Sequence, residues 1–153
     1  MMRQDTGLTA VELVVVIAIV AILSAIAIPG FIRWRANAKL NGATTNLKAD
    51  LEMAKLRAIR ENDLIAVLFS GNGYTIFIDN GASPGNYIRE ADENVLKNIQ
   101  FIPGITSTNN FTNSRTRFDG RGLPKNYGTI TITGQTGRRQ VIVNRIGRIR
   151  ISW

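Results

Sequence analysis

The chain has 153 residues, contains neither cysteine nor histidine, and carries a formal net charge of +8. It therefore has no thiol nucleophile, disulfide or imidazole base, and it lacks the usual ligands of zinc. We expect no catalytic residue, no metal site and no cofactor. The charge is concentrated at one end, because residues 115–153 hold nine basic side chains and one acidic side chain. Such an imbalance bears on binding partners rather than on the fold.

The first predicted element is an uncharged apolar segment over residues 13–32. Twenty helical residues at about 1.5 Å each give about 30 Å, which is the thickness of the hydrocarbon layer of a bilayer. A secretory signal peptide is one interpretation, since Ala25 and Ala27 have the spacing of a cleavage site. Against it, Glu12 directly abuts the apolar segment and only Arg3 supplies basic charge upstream. A plain membrane anchor is the second interpretation.

The residues before the apolar segment favour a third interpretation. The run Gly7-Leu8-Thr9-Ala10-Val11-Glu12 resembles the processing signature of type IV prepilins, in which a peptidase cuts after a glycine and a glutamate stands fifth in the mature chain. Pro29 also lies about two thirds of the way through the helix, as is common in that family. The resemblance implies a leader over residues 1–7, cleavage between Gly7 and Leu8, and processing by a prepilin peptidase/N-methyltransferase.

Glu12 is a candidate functional residue on physical grounds as well. A carboxylate at the edge of the hydrocarbon layer costs about 3 kcal/mol unless it is paired. Its natural partner is the α-amino group that cleavage would expose at Leu8. The resemblance implies that Glu12 neutralises the amine of a neighbouring subunit during filament assembly. A glutamate that simply lies among the lipid headgroups is the alternative.

Basic residues near the apolar segment lie mainly after it, at Arg33, Arg35 and Lys39. The positive-inside rule alone would place that side in the cytoplasm. The prepilin resemblance implies the opposite orientation. On that basis we expect a single-pass inner-membrane protein whose C-terminal domain lies in the periplasm, and which belongs to a filament or its tip after assembly.

The helical pattern continues beyond the apolar segment. Apolar residues recur at the spacing of one helical face, namely at Leu40, Leu47, Leu51, Ala54 and Ala58. The sequence predicts one helix over residues 8–62, membrane-spanning at about 13–32 and softened at Pro29 and near Gly42. Its second half is expected to pack its apolar stripe on a sheet.

Residues 63–153 are predicted to form a globular β-rich domain. Strands are indicated at 64–69, 74–78, 95–102, 128–133, 139–144 and 148–153. Residues 118–124 are predicted to form a turn, and residues 103–114 are polar and predicted to be mobile. The predicted fold is α+β and pilin-like, with a long N-terminal transmembrane and amphipathic helix packed on a C-terminal antiparallel β-sheet domain.

The order of the later elements indicates which branch of the type IV pilin family the chain resembles. The run Leu56–Ile59, the turn Phe118–Pro124 and the closing Gly147-Arg-Ile-Arg-Ile are similar to the GspH/FimT branch of minor pilins and pseudopilins. This implies a subunit that helps initiate or cap a type IV pilus-like filament, with other pilins as partners. The alternative is a minor pseudopilin of a type II secretion system that contacts other tip subunits or secreted cargo.

The basic end of the chain predicts a nucleic-acid contact. Strand alternation turns Arg148 and Arg150 outward, about 6.6 Å apart, a spacing on the order of that between successive phosphates in an extended strand. One guanidinium group can bind two phosphate oxygens at the same time through two parallel hydrogen bonds. The resemblance supports DNA, because FimT-type minor pilins bind it through a Gly-Arg-x-Arg motif like Gly147–Arg150. The predicted group also contains Arg145, Arg138, Arg139, Arg115 and Arg117.

Other interpretations of these arginines stay open. An edge strand can carry charges simply to prevent sheet-to-sheet aggregation. The basic patch could also face an acidic neighbouring pilin or an anionic membrane.

Overall fold

The computed structural model describes residues 9–81, 83–86, 88–91 and 93–153. The predicted leader over residues 1–7 and the predicted cleavage pair Gly7 and Leu8 lie outside the described residues. Helix α1 spans Ala10–Glu61 and runs through Pro29. The chain divides into two compact units at Arg35. The predicted division after residue 62 therefore does not coincide with this boundary, because the second half of α1 belongs to the β-rich unit.

The described part of the first unit is helical from Ala10 onward, and its large apolar side chains are exposed. An 18-residue window of α1 near the N-terminus has a mean hydropathy of 3.0, and none of it is buried. By length and composition this part of the helix can cross a membrane. Phe31 and Trp34 lie at its end, with ring centroids 5.7 Å apart.

Among its described residues, the second unit has eight strands in two antiparallel sheets. The first sheet has the order β3-β2-β1-β5 and the second has the order β4-β6-β7-β8. The strands are β1 Ile65–Ser70, β2 Gly73–Ile78, β3 Val95–Gln100, β4 Thr106–Asn109, β5 Arg115–Phe118, β6 Gly128–Gly134, β7 Gly137–Val143 and β8 Ile149–Ser152. The predicted α+β, pilin-like arrangement is confirmed.

The apolar stripe of α1 forms the centre of the core. All five residues predicted for the stripe have no exposed surface. They belong to one hydrophobic cluster with residues of both sheets, including Ile76 and Phe118 of the first and Ile132 and Val141 of the second. Burying a leucine side chain stabilises the fold by about 2 kcal/mol. The helix therefore holds both sheets through a stripe that its sequence periodicity already indicates.

Residues 103–114, for which the sequence predicts no strand, contain two regular elements. Thr106–Asn109 forms β4, which pairs with β6, and Thr112–Ser114 forms a 3-10 turn. Ser107 is buried, and its hydroxyl donates to the carbonyl of Ser70 at 3.0 Å. Pairing with a neighbouring strand, rather than apolar alternation, makes this polar segment extended.

The segment between β2 and β3 is held by buried carboxylates. Asp79 accepts the backbone N–H of Gly85 at 3.0 Å, and Arg117 lies 3.9 Å from its other oxygen. Glu93 accepts the backbone N–H groups of Gly81 and Glu90 at 3.3 and 2.8 Å. Because Arg117 projects from β5, these contacts fasten the segment to the first sheet.

Candidate functional site

The turn before β8 is organised around Asn144. Its side-chain oxygen accepts the backbone N–H groups of Ile146 at 3.2 Å and Arg148 at 2.8 Å. The backbone N–H of Asn144 in turn donates to the carbonyl of Arg148 at 3.1 Å. Asparagine favours such turns because its short side chain bonds nearby backbone groups. The backbone of Arg148 is therefore fixed from both sides.

Gly147 is required in this turn for two reasons. Its φ of +75° lies in the left-handed region, which costs other residues about 1–2 kcal/mol. A Cβ at this position would also overlap the carbonyl oxygen of Gly122. Lys55 of α1 donates to the carbonyl of Gly147 at 2.8 Å. The turn thus fits closely between the helix and the turn that follows β5.

The turn after β5 is closed by Asp119. Its carboxylate accepts the backbone N–H groups of Arg121 and Leu123, each at 2.9 Å, and the Arg121 side chain at 3.0 Å. Partial burial works to raise the pKa of Asp119, but these backbone and side-chain donors outweigh it and lower the pKa. The carboxylate therefore stays ionised and keeps Gly122 in place beside Gly147.

Arg150 of strand β8 and Arg148 just before the strand point away from the core. The strand pairs only with β7 in the second sheet, and Arg150 is the register partner of Ile142. Ile149 is buried, whereas Arg148 and Arg150 are exposed, as the alternation predicts. Asn144, Ile142 and the two arginines line one shallow depression of about 220 Å³. The structure therefore brings Arg148 and Arg150 together on one face.

This outer face of the second sheet, which we call the basic face, contains no acidic residue within the part of the chain that the structure describes. The strand registers define its members, and the alternate positions, such as Ile130, Ile132 and Val141, are buried. Its members are Thr106, Thr108, Thr129, Thr131, Thr133, Arg138, Gln140, Ile142, Arg148, Arg150 and Ser152.

The adjacent residues Arg138 and Arg139 point to opposite faces of β7. Arg138 is exposed on the basic face, about 13 Å along the sheet from Ile142, the register partner of Arg150. Arg139 points inward, where its guanidinium lies 5.0 Å from the ring of Trp153 and its Nη2 donates to Asn37 at 3.3 Å. The structure therefore does not group Arg139 with Arg148 and Arg150.

Arg145 is exposed in the turn before β8, and its guanidinium lies 5.0 Å from the ring of Tyr127. Tyr127 is half-exposed just before β6. This cation–π contact joins the turn to the start of the second sheet.

Arg115 and Arg117 belong to the other sheet. Arg117 is only 17% exposed and lies beside the buried carboxylate of Asp79. Arg115 is half-buried, and its Nε donates to the carbonyl of Asn113 at 3.2 Å. Both side chains have partners in segments that adjoin the first sheet, so the eight residues predicted as one group do not form a single surface.

Glu12 lies in the first turn of α1 and is exposed. Its backbone N–H donates to the hydroxyl of Thr9 at 3.3 Å, while the carbonyl of Thr9 accepts from Leu13 at 3.2 Å. Thr9-x-x-Glu12 is the sequence pattern of a capping box. The negative charge also suits the helix N-terminus. The capping pattern was available in the sequence and adds a helix-starting role to the predicted role in assembly.

A buried polar group on α1 was not predicted. Asp50 is 7% exposed, accepts a hydrogen bond from Tyr74 at 2.6 Å, and pairs with Lys97 at 2.6 Å. Burial, followed by the nearby Asp50 carboxylate, raises the pKa of Tyr74 above its ordinary value. The sequence did contain a signal for this buried group, because Asp50 lies between Leu47 and Leu51 of the apolar stripe. These contacts fasten α1 to β2 and β3.

Comparison with known families gives one match that covers most of the chain. The family model described as "Type II transport protein GspH" matches residues 43–147. The match includes the second half of α1, both sheets as far as β7, and the turn that ends at Gly147.

Two known proteins are similar in sequence. "Type IV major pilin protein PilA" of Myxococcus xanthus is 52% identical over 46 residues, which is 30% of this chain and only 21% of that protein. "Pilin-like protein PilA1" of Thermus thermophilus is 27% identical over 168 aligned positions, which cover 95% of this chain and 97% of that protein.

Solved structures of two proteins are similar in fold. The type IV minor pilin FimU of Pseudomonas aeruginosa gives a TM-score of 0.59 at 19% identity, covering 76% of this chain and 90% of that one. The minor pseudopilin EpsH from the type 2 secretion system of Vibrio cholerae also gives 0.59, at 10% identity, covering 74% and 96%. At these identities the likeness concerns the fold.

Proposed function

Since the chain belongs to the GspH family and is a pilin-like, membrane-anchored structural subunit, we propose that it helps initiate or cap a type IV pilus-like filament and binds DNA. The observation that carries the DNA proposal is the basic face, where arginines project from a surface without acidic residues. The contact is made to the phosphate backbone and is independent of base sequence.

Arg148 and Arg150 form the centre of this contact. Both are exposed, and neither side chain makes a hydrogen bond or an ion pair with another residue that the structure describes. An arginine already bound to a carboxylate would have to exchange that partner for a phosphate, whereas these two only give up water. The turn around Asn144 and Gly147 holds the backbone of Arg148 in advance, which reduces the entropy lost on binding.

Threonine hydroxyls on the same face extend the contact. Thr129, Thr131 and Thr133 of β6 lie two strands away from β8, and hydroxyl groups commonly bind phosphate oxygens. Arg138 lies further along β7 and adds a third cation. A strand of nucleic acid lying across the sheet would therefore meet arginine and threonine donors on one face.

The N-terminal end serves export and assembly in this proposal. A prepilin peptidase/N-methyltransferase cuts between Gly7 and Leu8, and Glu12 then pairs with the α-amino group of a neighbouring pilin. The exposed position of Glu12 in the first turn of α1 supports this role, since its carboxylate is available to another chain. The mass of the mature chain, measured intact, would reveal a start at any residue other than Leu8. The domain after the apolar segment lies in the periplasm.

The DNA proposal is tested by fluorescence anisotropy with the full chain in detergent micelles and labelled DNA at several salt concentrations. The double variant Arg148→Gln/Arg150→Gln is expected to bind about tenfold more weakly and to reduce the slope of log affinity against log salt by about two. The matched control is Arg57→Gln/Arg60→Gln, which removes the same charge from α1.

Equal losses in the two double variants would mean that net charge alone matters and would remove the basic face from the mechanism. Absence of binding by the unmodified chain would remove DNA from the proposal while leaving the family assignment intact.

A second candidate function is that of a minor pseudopilin in a type II secretion system, contacting other tip subunits or secreted cargo. The matching family's description as a type II transport protein favours it. A deletion strain separates the two functions. Loss of surface filaments or DNA uptake supports the first, whereas loss of secreted enzymes with normal filaments supports the second.

A further inference from the structure

One end of the β-rich unit, which we call the hairpin end, combines cations with exposed apolar side chains. It consists of Lys39, Ile102, Arg138, Arg139 and Trp153. Trp153 is 76% exposed and Ile102 is 45% exposed. Lys39 and Arg138 are exposed, and neither side chain makes a hydrogen bond or an ion pair with another described residue.

Several contacts gather these residues around one stretch of α1. Arg139 joins Trp153 to Asn37 through its ring contact and its hydrogen bond. At the β6–β7 hairpin, a Cβ at Gly134 would lie 3.4 Å from the side chain of Leu40, so the hairpin rests against the helix there. Lys39 and Ile102 line one cleft beside the helix. The hairpin end therefore surrounds residues 37–40 of α1, which lie at the N-terminal end of this unit.

No acidic side chain from the segments that form the hairpin end offsets its positive charge. Residues 36–49, 101–114 and 128–153, which supply this end of the unit, contain no aspartate or glutamate. Cations beside an exposed tryptophan are the combination found where proteins meet the lipid headgroup region. The aliphatic stems of lysine and arginine can lie along the apolar groups while the charges reach the phosphates.

The covalent chain brings this end near a bilayer whatever the angle between the two units. Asn37 follows Ile32, the last residue of the apolar segment, by five residues. Five residues span at most about 18 Å. When the apolar segment lies in the hydrocarbon layer, Asn37 and its partner Arg139 are therefore held close to the lipid headgroups.

We propose that the hairpin end is a docking surface for anionic lipid headgroups. Lys39 and Arg138 bind headgroup phosphates, Arg139 supports the ring of Trp153, and Trp153 lies in the interface between water and hydrocarbon. The docked state belongs to the subunit in the membrane, before it enters a filament. The proposal rests on the membrane-anchored pilin assignment and is independent of DNA binding.

The test uses the full chain carrying Trp34→Phe, which leaves Trp153 as its only tryptophan. The protein is reconstituted into vesicles of phosphatidylcholine alone or mixed with phosphatidylglycerol, with lipids that carry a quencher at a shallow or a deep position. We expect the shallow quencher to reduce Trp153 fluorescence in the anionic vesicles and to have little effect in the neutral ones. High salt is expected to reverse the quenching, which tests the charge dependence without any further substitution.

Lys39→Gln/Arg138→Gln in the same background is expected to lower the ratio of docked to undocked chains by about 25-fold, because each cation near the surface contributes about fivefold. Arg148→Gln/Arg150→Gln loses the same charge and is expected to keep the quenching. The proposal would be overturned if the shallow quencher did not reduce Trp153 fluorescence in anionic vesicles. It would also be overturned if both double variants lost the quenching to the same extent. Arg138 also belongs to the edge of the basic face, so Lys39→Gln/Arg138→Gln is expected to weaken DNA binding slightly, whereas Arg148→Gln/Arg150→Gln removes the centre of the DNA contact. Because only the first variant is expected to lose the quenching, failure of either proposal is recognised separately.

Discussion

The two sheets each carry an Arg-x-Arg segment, yet the surroundings of these segments are opposite. In the first sheet, Arg117 is mostly buried beside the carboxylate of Asp79. In the second sheet, Arg148 and Arg150 are exposed on a face without acids in the described part of the chain. Equal spacing along a strand therefore does not make two arginines equally available to an anion. The segment between β2 and β3, which supplies Asp79, makes the difference.

The sheets also differ in how they are fastened to α1. The first sheet uses charge, since Asp50 of the helix contacts Tyr74 and Lys97. The second sheet is joined to the helix at the turn before β8, where the carbonyl of Gly147 accepts from Lys55 and a Cβ on Gly147 would overlap the carbonyl oxygen of Gly122. Removal of charges or a change of pH should therefore lower the stability of the fold mainly through the first sheet. Added side-chain volume at Gly147 should lower it through the second sheet.

The largest effect is expected for Asp79→Ala in the first sheet. The substitution removes the carboxylate beside the poorly exposed Arg117 and the acceptor of the Gly85 N–H. Breaking a buried ion pair from one side costs about 3 kcal/mol of unfolding free energy. Urea unfolding of the chain in detergent measures this, with Arg148→Gln/Arg150→Gln as the control in the second sheet. The control should change stability by less than about 0.5 kcal/mol, and similar losses in both variants would erase the contrast between the sheets.

A somewhat smaller effect is expected for Gly147→Ala in the second sheet. The left-handed φ and the overlap with the carbonyl of Gly122 should cost about 2 kcal/mol. Gly71→Ala is the matched control, because a Cβ there meets no atom within 4 Å. Thermal unfolding compares the two variants. Since Gly147 precedes Arg148, weaker DNA binding by Gly147→Ala at temperatures where it stays folded would further link the turn to the basic face. Equal stability of the two glycine variants would argue against a shape-dependent second sheet.

The smallest effect concerns Tyr74 and pH. The folded state raises the pKa of the Tyr74 hydroxyl, so this contribution to stability is complete below the unfolded pKa of about 10 and is lost as pH rises above it. Tyr74→Phe should cost about 1 kcal/mol at neutral pH and should flatten the decline of unfolding free energy between pH 9 and 11. Chemical unfolding at several pH values measures both. An unchanged alkaline decline would mean that lysines, rather than this hydroxyl, govern it.

Short-range patterns in the sequence predicted much of the fold. The stripe from Leu40 to Ala58 follows from helical periodicity, and the β1–β2 hairpin follows from two strand patterns around Gly71 and Asn72. Strand β4 could not be predicted in this way, because Thr106–Asn109 shows no apolar alternation and depends on its pairing with β6.

The candidate site was only partly predictable for the same reason. The outward direction of Arg148 and Arg150 follows the alternation of neighbouring side chains, with Arg148 just before β8 and Arg150 within it. The burial of Arg117 depends on Asp79, which lies 38 positions earlier in the sequence. The separation of Arg138 from Arg139 follows from alternation within β7, whereas the contacts that hold Arg139 on the inner face come from the distant residues Trp153 and Asn37. Contacts between distant residues of this kind leave no periodic signal.

The cap at the start of α1 has a consequence for maturation. Thr9 supplies both the hydroxyl that receives the Glu12 N–H and the carbonyl that receives the Leu13 N–H. Both acceptors lie on the retained side of the proposed cut between Gly7 and Leu8. Removal of the leader would therefore break neither of these bonds, and the helix would not need to refold while it is embedded in lipid. Trimming would change the charge at the end of the rod and leave its winding intact.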